Sequence, residues 1–291
     1  MLGLKKSTFY RWRNIKSYSV KPATAKEGTM PGFSYTFDGK KISDLIIQKH
    51  IVQILNDEIG QHYGYKKVTA VLRRANNIKI SKKKVFRLMS SMNLIKKKSV
   101  SRGYSKRICR NHSIKSSNTL WELDTKYIYI AGTKQIAYLA SIIDVFDRSI
   151  VSYELSLSPN AESAKKAVIK ALFNRSIKSD EDSLTIRTDN GSQFIAYEFE
   201  KLCLTKNIIH ERIPAHSPNY NAHIESYHRY LQDECLSGKL FNNIDEAEDV
   251  IGNYVLGYNT KRIHSSINYR TPQEFYELKN DEFKNKLTVS L

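Results

Sequence analysis

The β-rich part of the chain begins at residues 121–130, which read Trp121-Glu-Leu-Asp-Thr-Lys-Tyr-Ile-Tyr-Ile130. Aromatic and β-branched residues fill this stretch, as is typical of a β-strand. Side chains alternate between the two faces of a strand, so Asp124 shares a face with Lys126, Ile128 and Ile130. A carboxylate on such a face is unfavourable when it is buried alone and useful when it meets a cation. The stretch therefore predicts a strand that carries a functional Asp.

The segments that follow predict a sheet flanked by helices. Strand patterns are expected at 136–143, 149–155, 184–188 and 208–213, and helical patterns at 162–173, 199–204, 224–235 and 244–258. Three consecutive strands are thus followed by alternating helices and strands. That order predicts an α/β fold built on a mixed sheet.

The segment before residue 98 predicts a small all-α domain. Ser43 and Ser81 are placed to cap helices, and a short break at 76–79 separates the last two helical patterns. The final helix begins with a basic run, which suits a helix-turn-helix whose second helix enters the major groove of DNA. Its candidate DNA-binding residues are Lys82, Lys83, Lys84 and Arg87. The alternative is a helical bundle with a solvated basic face.

Charge is distributed unevenly along the chain. Residues 1–118 hold 27 Lys and Arg against 5 Asp and Glu, a net charge of +22, whereas 119–291 hold 20 against 24, a net charge of −4. Such asymmetry indicates a polyanion-binding part joined to a part with another task, although solubilising charge is the alternative. Residues 98–118 are predicted to be a basic linker that follows DNA phosphates. Its candidate contacts are Arg102, Lys106, Arg107 and Arg110.

Several classes of protein are disfavoured by composition. The 3 cysteines are an odd number and lie far apart, which indicates a reducing compartment. No secretory signal is evident, and the apolar run at 136–143 is far shorter than the ~20 residues that span a bilayer. We expect a cytoplasmic protein. The pair Cys109 and His112 has no second pair at zinc spacing, and no phosphate-binding loop motif indicates ATP.

Two further carboxylates complete a candidate site with Asp124. Asp189 closes the predicted strand 184–188, where side chains line the ligand crevice of a sheet, and Glu225 lies one position off the inward stripe of its helix. Mg²⁺ and Mn²⁺ prefer such oxygen ligands, and two ions can support phosphoryl transfer. Each carboxylate alone also has an ordinary structural explanation. Asp144 and Asp147 are rival candidates that turn geometry or a structural hydrogen bond also explains.

Four ordered motifs resemble the integrase core of bacterial insertion-sequence transposases, especially those most like retroviral integrases. The motifs are Trp121-Glu-Leu-Asp-Thr-Lys-Tyr-Ile128, Ser141-Ile-Ile-Asp-Val-Phe-Asp-Arg-Ser-Ile-Val151, Arg187-Thr-Asp-Asn-Gly-Ser-Gln-Phe194 and Asn221-Ala-His-Ile-Glu-Ser-Tyr227. Between Asp189 and Glu225 lie 35 residues, as in that family. The resemblance extends over roughly 40–280 and includes the helix-turn-helix that precedes the core.

The resemblance implies a ribonuclease-H-like fold and a metal site formed by Asp124, Asp189 and Glu225. It implies two Mg²⁺ or Mn²⁺ ions, DNA cleavage at element ends, and strand transfer into target DNA. Double-stranded DNA and a homo-oligomer on that DNA are the implied partners, in the nucleoid of a bacterial cytoplasm. One departure concerns DNA contacts. Many relatives carry Lys or Arg seven residues after the Glu, where this chain has Gln232, and Arg229 is the candidate substitute.

The expected domain organisation follows these patterns. It comprises a partial helix-turn-helix remnant and linker at 1–40, a helix-turn-helix domain at 41–97, a basic linker at 98–118, the catalytic core at 119–280 and a tail at 281–291. An alternative function is a catalytically silent transposase fragment that represses by binding DNA. A ribonuclease of the same fold is a third hypothesis, which accounts less well for the basic N-terminal helices.

Overall fold

The computed structural model describes residues 32–95, 114–177, 184–213 and 218–289. In this part of the chain an N-terminal helical domain precedes a larger α/β domain. The strands are β1 (Phe33–Thr36), β2 (Lys41–Ser43), β3 (Ile78–Lys79), β4 (Leu120–Ile130), β5 (Gln135–Asp144), β6 (Ile150–Ser156), β7 (Thr185–Thr188) and β8 (Ile209–Arg212). The helices are α1 (Asp44–Asn56), α2 (Tyr65–Arg74), α3 (Lys82–Ser91), α4 (Ala161–Asn174), α5 (Ser192–Ile195), α6 (Tyr197–Thr205), α7 (Ala222–Leu231), α8 (Ile244–Thr260) and α9 (Pro272–Val289).

The N-terminal domain begins its helices at the predicted caps. The Ser43 hydroxyl accepts a hydrogen bond from the amide of Ile46, and the Ser81 hydroxyl accepts one from the amide of Lys84. The apolar sides of α1, α2 and α3 meet in one core around Ile47, Val68 and Val85. The helices predicted over 41–97 are therefore present.

A small sheet adds to the helices that the sequence analysis expected here. In the described residues its strand order is β2-β1-β3, with both pairs antiparallel. Strand β1 lies within the segment 1–40 that was expected to be remnant and linker. The signal was weak because β1 is four residues long and β3 only two, so each strand exists only through its pairing with the others.

The sheet of the larger domain is mixed, as predicted. Its five described strands follow the order β6-β5-β4-β7-β8, with β4 in the centre. Strands β4, β5 and β6 form an antiparallel meander, and β7 and β8 run parallel to β4. The turn after β4 needs Gly132, because a Cβ there would lie 2.1 Å from the carbonyl oxygen of Asn242.

Two apolar cores cover the two faces of this sheet. Helices α4 and α6 pack on one face, around Trp121, Ile142 and Phe199. Helices α7 and α8 pack on the other, around Ile128 and Tyr227. The central strand β4 contributes to both cores, so its side chains are held from both sides. No described helix is long and apolar enough to cross a membrane.

Candidate active site

Asp124 lies in the middle of the central strand. It pairs with Ser141 of β5 and keeps about 25% of its side chain exposed. The amide of Thr125 donates a 2.8 Å hydrogen bond to Oδ1, and Nδ1 of His228 lies 3.4 Å from Oδ2. The carboxylate is thus oriented from its own strand and from helix α7, while one edge remains open to solvent.

Asp189 follows β7 directly, on the strand next to β4. The parallel register pairs Glu122 with Arg187, so Asp189 and Asp124 each lie two residues beyond that pair. Adjacent strands are about 4.8 Å apart, so the two aspartates lie at neighbouring positions where β7 ends beside the middle of β4. The amide of Gly191 donates a 2.9 Å hydrogen bond to Asp189 Oδ1 and orients it.

Glu225 belongs to the first turn of α7 and is exposed. The start of that helix is bound to β4 by Glu122, whose side chain is completely buried. Oε2 of Glu122 accepts hydrogen bonds from the amides of His223 and Ile224, at 3.0 and 2.9 Å, and Oε1 lies 2.8 Å from Nδ1 of His223. Because Glu122 is two residues from Asp124 on the same strand face, one strand positions two of the three carboxylates.

The three carboxylates influence one another electrostatically. Reduced hydration raises the pKa of Asp189. The hydrogen bond from Gly191 lowers this pKa, and the negative charge of Asp124 raises it. Reduced hydration also raises the pKa of Glu225, followed by the charges of Asp124 and Glu122. Asp124 therefore acts on both partners, and the structure brings the three predicted residues into one region of like charge.

The donor set has the chemistry of a site for a hard divalent cation. All three groups are carboxylates, which Mg²⁺ and Mn²⁺ prefer, and a cation would favour the charged forms that reduced hydration and the charge of Asp124 disfavour in Asp189 and Glu225. Among the described residues, however, no group of three or more His, Cys, Asp or Glu side chains is arranged to hold a metal ion as it stands. The three carboxylates lie in one region of the structure, but their side chains are not arranged as a complete set of metal ligands.

The rival carboxylates serve the fold. Asp144 is fully buried and accepts hydrogen bonds from the amides of Asn118 and Phe146 and from the indole of Trp121. Burial, together with the charge of Asp147, raises the pKa of Asp144 to about 6. Asp147 is also buried and lies 3.0 Å from the guanidinium of Arg175. Both residues therefore stabilise the turn after β5 and the start of β4. This is the structural role that the sequence analysis gave as the alternative to catalysis.

The basic candidates of α3 separate into two pairs. Lys82 and Lys83 are exposed at the start of the helix. Lys84 lies 2.5 Å from one carboxylate oxygen of Asp44, and Arg87 lies 3.5 Å from the other. Arg229 is exposed on α7, with its guanidinium 5.5 Å from the ring centre of Tyr230. The following residues lie outside the described residues: Arg102, Lys106, Arg107, Cys109, Arg110 and His112.

Sequence reasoning missed the role of Glu122. Its alternation with Asp124 was the available signal, since both side chains belong to one face of the predicted strand. The partner helix is 101 residues away in sequence, so no local pattern predicted the hydrogen bonds to it. The contact between His228 and Asp124 was missed for the same reason.

Comparison with known protein families identifies this arrangement. Two models described as integrase core domain match residues 115–218 and 206–272, which together span more than half of the chain, and an HTH-like domain model matches 42–102. The chain belongs to the insertion-sequence transposases with an integrase core. This transposase therefore has the predicted ribonuclease-H-like fold class, preceded by a helix-turn-helix domain, and its family functions in DNA transposition.

Individual relatives agree with this assignment. The chain is 26% identical over 241 residues to the putative transposase InsK for insertion sequence element IS150 of Escherichia coli K12, covering 79% of this chain and 82% of that protein. It is 27% identical over 243 residues to the transposase for IS904 of Lactococcus lactis, covering 79% and 93%. An uncharacterized protein of element IS600 of Shigella sonnei is 32% identical over 161 residues, covering 55% and 57%.

Two similar solved structures come from viruses. The simian T-cell lymphotropic virus intasome structure contains a chain 16% identical with a TM-score of 0.45, covering 74% of this transposase and 71% of that chain. The HTLV-2 integrase catalytic core domain in complex with magnesium is 18% identical with a TM-score of 0.40, covering 55% of this chain and 97% of that one.

Proposed function

We propose that this transposase cleaves DNA strands at the ends of an insertion sequence and joins them to target DNA, with Asp124, Asp189 and Glu225 as its catalytic carboxylates. The observation that carries the proposal is geometric: Asp124 and Asp189 lie at neighbouring positions on paired strands, and Glu122, two residues before Asp124, binds the start of the helix that carries Glu225. Like-charged groups brought together in this way are typical of functional sites, because folding alone gains nothing from their repulsion.

The three carboxylates would hold Mg²⁺ or Mn²⁺, in our proposal two ions. When bound, such ions neutralise charge on the scissile phosphate and lower the pKa of an attacking water. The chain itself orients the site. Thr125 and His228 hold Asp124, the Gly191 amide holds Asp189, and Glu122 holds the helix that carries Glu225.

The proposed reaction proceeds without a covalent protein intermediate. No motif of the family resemblance marks a Ser or Tyr as a nucleophile, and Ser141, which pairs with Asp124 across the sheet, is fully buried. Water would attack first, and the freed 3′-hydroxyl of the element would attack the target. Double-stranded DNA is the substrate, and a homo-oligomer assembled on element ends is the form in which we expect both reactions.

The test is strand transfer with labelled duplexes carrying the element ends. Asp124→Asn, Asp189→Asn and Glu225→Gln each keep side-chain size but remove charge. We expect each variant to lose strand transfer at least about 100-fold in Mg²⁺, since each removes a carboxylate that the metals require, and to bind DNA as the wild type does. Calorimetric titration with Mn²⁺ should show weaker binding by all three variants.

Asp249→Asn and Glu198→Gln are the matched controls, because both side chains are exposed on other surfaces. These controls should retain transfer. Wild-type transfer by any one of the three carboxylate variants would remove that residue from the site. Loss of DNA binding in parallel with transfer would indicate a folding defect, contrary to the proposal.

A further inference from the structure

One face of the small N-terminal sheet carries aromatic rings between lysines. Strand β1 lies in the middle, and Tyr35 pairs with Lys41 on one side and with Lys79 on the other. Paired residues point to the same face of a sheet, and so do residues two apart on one strand. This outer face is therefore formed by Phe33, Tyr35, Lys41 and Lys79.

The rings and the lysines of the outer face are in contact. The ring centres of Phe33 and Tyr35 are 5.5 Å apart in an edge-to-face arrangement. The ammonium of Lys41 lies 4.0 Å from the ring centre of Phe33, within the range of a cation–π interaction. Phe37 follows the strand and is fixed beside β3 by a 3.0 Å hydrogen bond from its amide to the carbonyl of Asn77.

The opposite face of the same sheet packs against the core of the N-terminal domain. Ile78 is fully buried, Ser34 is nearly so, and Ile42 packs against the core of the N-terminal domain. On the outer face Tyr35 is 48% exposed, and Phe37, which follows the strand, is 59% exposed. The rings of Tyr35 and Phe37 therefore contribute little to the stability of the fold.

The net charge of the N-terminal domain suits a polyanion. Residues 32–95 contain 12 Lys and Arg against 4 Asp and Glu, a net charge of +8. Two of these acids are engaged nearby, since Asp38 accepts a hydrogen bond from Asn77 and Asp44 pairs with Lys84. A nucleic acid combines a polyanionic backbone with flat bases. Exposed rings beside lysines match this combination, because unpaired bases stack on the rings while the lysines contact phosphates.

We propose that the outer face of the small sheet binds single-stranded DNA. Bases would stack on Tyr35 and Phe37, and Lys41 and Lys79 would contact the phosphates on either side. A duplex keeps its bases stacked on one another, so the rings select for unpaired strands. The inference rests on the proposed function, because cutting and joining single strands leaves unpaired stretches beside the element ends.

The test uses the full-length chain and fluorescence anisotropy with two probes, an oligothymidine and a duplex of the same length. Tyr35→Ala and Phe37→Ala should each weaken oligothymidine binding by about 5- to 100-fold, since each removes a stacking ring. Duplex binding should change less than twofold. Tyr197→Ala is the matched control, because that ring is 73% exposed on the catalytic domain.

Tyr35→Leu guards against a folding defect, because it keeps an apolar side chain and removes only the ring. It should weaken oligothymidine binding as Tyr35→Ala does and keep the thermal midpoint of the Tyr197→Ala control. Unchanged oligothymidine binding, or equal losses on oligothymidine and duplex, would overturn the inference. A lower thermal midpoint with unchanged binding would also overturn it, because the face would then be covered by the chain itself. The proposed function fails separately, through the transfer assay of the three carboxylate variants.

Discussion

Glu122 shows how a single residue connects strand β4, which carries Asp124, to helix α7, which carries Glu225. It is fully buried, yet it accepts hydrogen bonds from two backbone amides at the start of α7 and from the ring of His223. Those amides are among the groups that a helix cannot satisfy internally, and their partial positive charge favours a carboxylate. The position of Glu225 relative to Asp124 therefore depends on Glu122.

Replacing Glu122 tests this positioning role. Glu122→Ala leaves two amides without acceptors and should lower the free energy of unfolding by about 1–3 kcal/mol. Strand transfer should also fall at least about tenfold and require more Mg²⁺ for half-maximal rate, because Glu225 is no longer held. Glu122→Gln keeps an oxygen acceptor for the amides and should recover part of both losses. The measurements are urea unfolding and transfer rates across a Mg²⁺ series.

The exposed carboxylate of Glu198 provides the control for this series, and Glu198→Gln should match the wild type in both measurements. A purely structural role for Glu122 makes a different prediction. Stability would fall, while the Mg²⁺ concentration for half-maximal transfer would stay at the wild-type value. That result would contradict the positioning role.

At the scale of elements, helix α3 directs two of its basic residues towards Asp44 of α1 and two towards solvent. Ser81 caps the helix, and Val85, Leu88 and Met89 are buried against α1 and α2. This places Lys84 and Arg87 against Asp44, inside the domain, and leaves Lys82 and Lys83 outside. A helix that enters a major groove uses its exposed N-terminal side chains.

We predict that the two pairs respond oppositely to substitution. Lys82→Gln with Lys83→Gln should weaken duplex binding and reduce the log–log salt slope by about 2, since each phosphate contact contributes about 0.9. Stability should be unchanged. Lys84→Gln should lower the free energy of unfolding by about 1–3 kcal/mol and affect binding less. Anisotropy at two salt concentrations and urea unfolding measure these effects, and a larger binding loss for Lys84→Gln would refute the division.

At the scale of the whole molecule, the N-terminal domain is docked on the segment after α8. The hydroxyl of Tyr63 donates to the carbonyl of Lys261 at 3.2 Å and accepts from the amide of Ile263 at 3.1 Å. Ile263 itself packs in the core of the N-terminal domain. Beside it, Arg262 lies 2.7 Å from Glu234 with both side chains buried. The N-terminal domain therefore has a defined orientation relative to the candidate active site.

Lys67 lies in this domain interface and makes stability depend on pH. Burial lowers its pKa from 10.5 to about 7, and the charge of Arg262 lowers it further, whereas Glu234 opposes the shift. The Tyr63 ring, 4.8 Å away, also favours the charged form. Below pH 7 both folded and unfolded chains hold the proton, so the folded chain bears the full unfavourable burial of a charge. Above pH 7 the folded chain releases the proton, so the buried charge is removed and the folded state becomes more stable relative to the unfolded state.

The expected result is a stability that rises with pH from about 7 towards 9. Lys67→Met removes the amine and should flatten this rise and stabilise the chain most at pH 6. Lys66→Met is the control, because Lys66 is the exposed neighbour on the same helix, and it should keep the wild-type pH profile. Urea midpoints at pH 6, 7, 8 and 9 decide between them. A wild-type profile in Lys67→Met would show that the amine is not the titrating group.

Local patterns in the sequence predicted most elements of this protein. Alternation in 121–130 predicted β4, and Ser43 and Ser81 predicted two helix starts. These signals act over a few residues, through side-chain direction and capping, so they are readable without a fold. The candidates Asp124, Asp189 and Glu225 came from the four motifs that resemble the integrase core.

Only the tertiary structure decided which residues support those candidates. Glu122 and His223 are 101 residues apart, and Tyr63 and Ile263 are 200 apart, so their contacts exist only once the sheet and the two domains have assembled. The short strands β1 and β3 likewise depend on pairing across more than 40 residues. Burial also distinguishes Lys84 from the exposed Lys82, and the fully buried Asp144 from the partly exposed Asp124. Such residues look alike in the sequence, because their environments differ only after packing has placed them in a core or on a surface.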